Sequence, residues 1–165
     1  MADCYPYRVT AGGGDLTLVW RSGEGDAPDE FAVDEHGGLL AFPDLRTLRD
    51  HCGWDLVEEG GAALDLDAVR RWVERPGLGS VPAGLLLDAW NFFEDLCHSL
   101  GPSGPSLPAQ GPVHDSAYEK IFGGAALGPA AGEGAWTDDE TTAVRELLRA
   151  GLSLWERAVP APGAD

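Results

Sequence analysis

The chain has 165 residues, enough for one domain that buries roughly two-thirds of the surface its unfolded form exposes, and its 44% hydrophobic content marks a globular and not a disordered chain despite 23 Gly and 12 Pro. Asp and Glu number 28 against 11 Lys and Arg, a formal net charge of −17 that opposes binding to nucleic acid or to an anionic membrane. No apolar run reaches the ~18 residues of a membrane span, the N-terminal MADCYPYRVT carries no secretory pattern, and Cys4, Cys52 and Cys97 form no disulfide framework, so a cytoplasmic single domain over 1–165 is expected. Acidity of this size has three physical sources: general solubility, adaptation to high salt, or complementarity to a basic partner. Lys120 is the only lysine among abundant Arg, Ala, Gly and Pro, a composition that suits a GC-rich genome.

Residues 5–10 (YPYRVT) and 15–21 (DLTLVWR) flank Gly12, Gly13 and Gly14 and read as two strands joined by a glycine turn. Leu16, Leu18 and Trp20 alternate with Thr17 and Val19, which gives an apolar face and a mixed one. A second hairpin is expected from 31–35 (FAVDE) and 39–42 (LLAF) around His36, Gly37 and Gly38, for four antiparallel strands in a strand-rich segment 1–42. From Pro43 the apolar period changes from two to about 3.6, so 43–165 is helix-rich.

Asp44 reads as the N-cap of a helix over 45–52 stopped by Gly53, and Asp65 as the N-cap of one over 66–75 ended by Pro76 and Gly77. Ser80 is positioned to cap a long helix with Pro82 in its first turn, running to about Leu100 and ended by Gly101 and Pro102. Residues 137–140 (TDDE) form a capping box that opens a last helix to about Val159, with Val144, Leu147, Leu148, Gly151, Leu154, Trp155 and Ala158 as its core stripe. Between the long helices, loops near 101–117 and 123–135 are rich in Gly, Pro and Ala and are expected to be mobile, on either side of a short helix at 118–122. The expected fold is α+β: an N-terminal antiparallel sheet of about four strands packed against a long central helix and a C-terminal helix.

Two stretches invite chemistry, 88–101 (DAWNFFEDLCHSLG) and 50–54 (DHCGW), because each sets a His beside a Cys. On a helical wheel Leu85, Leu86, Ala89, Trp90, Phe92, Phe93, Leu96, Cys97 and Leu100 share one arc of about 160°, and Asp88, Asn91, Glu94, Asp95, His98 and Ser99 share the opposite one. Cys97 and His98 therefore diverge, as do His51 and Cys52, and neither pair suits one metal ion. Glu94 and Asp95 lie four and three residues before His98, as a carboxylate-oriented general base would require. The matching half of a metal site is missing, and so are nucleophile-elbow, phosphate-loop, dinucleotide and zinc-protease motifs. The reading is no enzyme, no catalytic residue, no metal and no cofactor. The alternatives are a small hydrolase or metal-dependent enzyme using Asp88, Glu94, Asp95 and His98, and a regulatory module binding a small ligand near Trp90 and Tyr118.

Acid is concentrated in 22–36 (SGEGDAPDEFAVDEH), where Glu24, Asp26, Asp29, Glu30, Asp34 and Glu35 occur without Lys or Arg. Glu58, Glu59, Asp65 and Asp67 add to it, together with the polar arc of the central helix. Complementary charge accelerates encounter with a basic protein, and exposed aromatics anchor it. The candidate partner-binding residues are Glu24, Asp26, Asp29, Glu30, Asp34, Glu35, Trp54, Asp88, Asn91, Glu94, Asp95, His98 and Trp136.

The segments DAWNFFEDLCHSLG, YEKIFGG and WTDDE resemble a set of small acidic, uncharacterised actinobacterial proteins with a D-A-W-N-x-F helix, a Y-x-K-x-F segment and a late W-[ST]-x-x-E helix start. The resemblance spans 88–159 and departs after Phe122, where GGAALGPAA stands in place of a more aromatic, amide-rich loop. It implies an immunity-type protein and assigns no individual residue a role; the net charge, the acid run at 24–35 and the missing catalytic motifs point to an inhibitor of a basic partner such as a nuclease-type toxin.

Overall fold

Gly12 and Gly13 have φ of 63° and 78°, the left-handed backbone that a two-residue turn between twisted strands demands. In the computed structural model, which describes residues 3–52, 57, 62–76, 82–101, 106–127 and 136–159, they join β1 (Cys4–Ala11) to β2 (Gly14–Arg21). The antiparallel register pairs Tyr5 with Trp20, Tyr7 with Leu18 and Val9 with Leu16, so the apolar alternation of both strands falls on one face.

The second expected hairpin takes another form. β3 (Glu30–Phe31) and β4 (Ala41–Phe42) both pair with β2, through Trp20 with Phe31 and Thr17 with Phe42, along the edge that β1 leaves open. They behave as one edge strand interrupted by an excursion, whose arms pair around the Val33 to Leu39 bridge through the Leu40 N–H to the Ala32 carbonyl at 3.1 Å and the Asp34 N–H to the Gly38 carbonyl at 2.7 Å. Asp34 closes the excursion by accepting the N–H groups of His36 and Gly38, each at 2.8 Å. A fifth strand, β5 (Ala62–Asp65), joins the other edge parallel to β1, with Leu64 opposite Val9. The α+β architecture is as expected, on a mixed sheet ordered β3-β2-β1-β5 with β4 also on β2.

Asp65 ends β5 and caps α2 (Leu66–Glu74) by accepting the Ala68 N–H at 3.0 Å. Two residues on, Asp67 accepts the N–H groups of Gly12 and Gly13 at 2.9 and 3.1 Å, tying the hairpin tip to the helix. Asp44 caps α1 (Leu45–Cys52) through the Thr47 N–H at 2.7 Å. α1 covers the mixed face of the sheet, where Val19, Ala32, Phe42 and Leu48 form a small second core.

The opposite face carries the main core. α3 (Ala83–Leu100) lies on it with Leu86, Ala89, Trp90, Phe92, Phe93 and Leu96 buried, and Pro82 rather than Ser80 stands at its N-cap; Ser80 is outside the described residues. Phe92 meets Tyr7 at 5.3 Å and Phe31 at 5.1 Å between ring centroids. Ser99 fastens the helix to the sheet by accepting the Phe31 N–H at 2.8 Å and donating to the Asp95 carbonyl at 2.6 Å.

α4 (Pro112–Leu127) starts well before the short helix expected at 118–122. Pro112 occupies the first turn, where its missing N–H costs nothing, and His114 Nδ1 accepts the Gly111 N–H at 3.2 Å. The segments read as mobile loops are thus helical over 112–117 and 123–127, and residues 128–135 lie outside the described ones. α5 (Asp138–Ala158) opens with the expected capping box between Thr137 and Glu140 and packs against α2, α3 and α4. Its Gly151 is what lets Phe93 approach, since a Cβ there would lie 2.2 Å from the ring. Among the described residues no helix is long and apolar enough to cross a membrane.

Candidate functional site

The polar arc of α3 rises beside the sheet surface carrying Tyr5, Tyr7 and Trp20, and the two enclose a cleft of about 590 Å³. Asp88, Asn91, Glu94 and Asp95 line it from the helix because spacings of three and four keep them on one side. Tyr5, Pro6, Tyr7 and Trp20 line it from β1 and β2, Asp29 closes one end, and Phe92, Ala62 and Ala63 complete the wall. Four carboxylates thus share one opening with three aromatic residues of the sheet.

Each helix residue is held by a different neighbour. Asp95 Oδ2 accepts the Trp20 Nε1–H at 3.3 Å. Glu94 Oε1 accepts the indole N–H of Trp90 one turn earlier and an amide N–H of Gln110 at 3.2 Å. Asn91 Oδ1 accepts the Tyr118 hydroxyl at 3.0 Å, while Tyr118 stacks edge-on to Trp90 at 5.2 Å. Asp29 accepts the Gly23 N–H at 2.8 Å, which fixes the loop before β3. Among the described residues, none of Asp29, Asp88, Glu94 and Asp95 takes part in an ion pair.

Burial and crowding set the acidities. Burial pushes the Asp95 carboxyl up to about 6; the charges of Asp29 and Glu94 add to this, and the Trp20 bond and His98 only partly offset it. Burial also raises Asp88. The Tyr7 hydroxyl is raised well above its ordinary value by burial first and then by Asp88 and Asp95. Asp95 and Tyr7 are raised by burial beside other carboxylates and Asp88 by burial, and among the described residues no Lys or Arg pairs with Asp88 or Asp95.

The cleft gathers part of the predicted partner-binding set and disperses the rest. Asp29, Asp88, Asn91, Glu94 and Asp95 come together; His98 is exposed outside the lining, and among the described residues it has no hydrogen bond to Glu94 or Asp95. The carboxylate-oriented base suggested by the helix spacing is therefore not assembled, because Asp95 turns to Trp20 and Glu94 to Trp90. Glu30 lies 3.8 Å from Arg21, and Glu35 lies 3.4 Å from His36. Asp34 serves its own turn, whose backbone N–H groups from Gly38 and His36 lower its pKa below the ordinary 3.8. Glu24 and Asp26 are exposed. Trp136 packs half-buried against the main core, edge-on to Trp72 at 6.5 Å, so it belongs to the helical layer and not to the cleft. Trp54, Glu58 and Glu59 lie outside the described residues.

Tyr5, Tyr7, Trp20 and Phe92 line the cleft without being among the expected partner-binding residues. The one signal for them is the Tyr5, Tyr7 alternation opposite Trp20, which places aromatic rings beyond the last aliphatic pair of the hairpin. Among the described residues no group of three or more His, Cys, Asp or Glu is placed to hold a metal ion. No protein-family model, no curated protein and no solved structure matches the chain.

Proposed function

We propose that the protein is a non-enzymatic, cytoplasmic interaction protein, an immunity- or antitoxin-type inhibitor that binds and occludes a basic protein partner. The observation that carries this reading is the cleft between α3 and the β1 to β2 hairpin, where four carboxylates without an ion-pair partner among the described residues stand beside aromatic rings. Charge kept partly desolvated raises the free energy of the unbound protein, and a cation delivered by a partner relieves it. The net charge of −17 extends the same preference over the whole surface and steers a basic protein towards it.

Affinity capture from the native cell tests the proposal. One basic protein is expected in stoichiometric amount at low salt and is expected to be released as ionic strength rises. Recovery of no basic partner, or of partners held equally at high salt, contradicts it.

A further inference from the structure

We infer that the cleft seats a guanidinium group, the side chain of an arginine presented by the basic partner. The inference rests on the docking role proposed above and adds what is docked there. Its ground is the pairing of aromatic faces with carboxylates. Tyr5, Tyr7 and Trp20 line the sheet side of the opening, Tyr5 and Trp20 with ring centroids 5.6 Å apart and planes inclined by 52°, and Tyr7 backed by the buried Phe92 ring at 5.3 Å. Asp88 and Asp95 supply negative charge from the helix side.

A flat, weakly hydrated guanidinium stacks on rings and donates parallel hydrogen bonds to a carboxylate; a lysine ammonium is compact and keeps its water more strongly. Among the described residues the Asp88 carboxylate accepts no hydrogen bond, which leaves both its oxygens for the paired donors, while Asp95 has one oxygen engaged by Trp20 and can accept on the other. The cleft's volume of about 590 Å³ is also far larger than a bare ion needs, and falls in the range of roughly 300–1,000 Å³ common for organic ligands.

The Trp20 indole N–H, bonded to Asp95, is a built-in reporter. Uniformly ¹⁵N-labelled full-length protein is titrated with N-acetyl-arginine amide and, separately, N-acetyl-lysine amide, with the Trp20 signal assigned by its loss in Trp20→Phe. The arginine probe is expected to shift the signal saturably, with binding several-fold tighter than the lysine probe and about tenfold weaker in the Asp88→Asn, Asp95→Asn double variant. Both replacements keep side-chain shape, and undiminished dispersion of the remaining signals verifies that the variant is folded. No saturable change at Trp20, or equal response to both probes, overturns the inference. A basic partner captured from cells whose binding leaves Trp20 unmoved overturns the guanidinium seat while the docking role stands. Saturable arginine binding with no basic partner captured does the reverse.

Discussion

Replacing Asp95 by Asn should make the protein more stable at neutral pH, although it removes a charge from a hydrogen-bonded residue. The carboxyl moves from an ordinary value of 3.8 to about 6 on folding, driven first by burial. Between those values the folded state holds more protons at this site than the unfolded state, so stability falls as pH rises through the window and the full penalty applies above 6. The unscreened linkage would be ~3 kcal/mol. Asp95 is only half-buried, and solvent screening reduces this to about 1 kcal/mol, or ~2–4 °C in Tm for a chain of this length. Asn retains an oxygen for the Trp20 N–H, so the replacement isolates the charge. Urea and thermal unfolding of wild type and Asp95→Asn at several pH values between 3.5 and 8 test this reasoning (pH range roughly spanning the carboxylate titration). The variant should lead at neutral pH, with a gain that shrinks below pH 6 and vanishes near 3.8. A variant that is no more stable at neutral pH, or whose gain ignores pH, refutes the reasoning.

Gly151→Ala should destabilise by roughly 1–3 kcal/mol in urea unfolding, because the new Cβ meets the Phe93 ring at 2.2 Å; helix propensity alone would predict a gain of about 1 kcal/mol, so the sign decides. Thr137→Ala removes the acceptor for the Glu140 N–H at 3.1 Å and should cost ~1 kcal/mol in the same assay. Lys120→Met leaves the buried Glu140 without its 2.7 Å ion pair and should cost about 3 kcal/mol, recovered in large part when Glu140 is also made Gln. Asp34, Asp44 and Asp67, each lowered below 3.8 chiefly by backbone N–H bonds, contribute stability that is present above that value and lost as pH falls beneath it. The wild-type Tm should therefore rise on mild acidification and fall below about pH 3.8, with Asp67→Asn flattening the acid limb.

Local grammar was legible and long-range pairing was not. Asp44, Asp65 and the Thr137 to Glu140 box were readable as caps because each needs only its own helix's N–H groups. The wheel for α3 was sufficient for the same reason, and divided buried Phe92 and Leu96 from exposed Asn91 and Glu94. β5 was hidden because AALD has no strand propensity of its own; its extended form comes from parallel hydrogen bonds to β1, more than fifty residues earlier. The start of α4 was obscured by Gly111 and Pro112, which read as loop although proline suits a first helical turn and His114 takes the place of a capping acid.

The candidate site was half legible. Helical spacing gathers Asp88, Asn91, Glu94 and Asp95, yet spacing does not show that Asp95 faces Trp20 and His98 faces solvent. Nor does it bring Asp29 to the same opening, because that depends on how the segment before β3 folds back, held by the Gly23 to Asp29 bond. Trp136 shows the opposite error: a residue beside a loop is not exposed when a second tryptophan, here Trp72, stands opposite it.

Under the proposed function, carboxylates in the α3 cleft that have no ion-pair partner among the described residues bind a basic protein. Its most direct test is the association rate of the captured partner as ionic strength is raised, for wild type and for the Asp88→Asn, Asp95→Asn variant. The wild-type rate should fall about tenfold or more from low to high salt, the scale of electrostatic steering, and the complex should dissociate about tenfold faster in the variant. A rate indifferent to salt, together with a variant that binds as well as wild type, would contradict it.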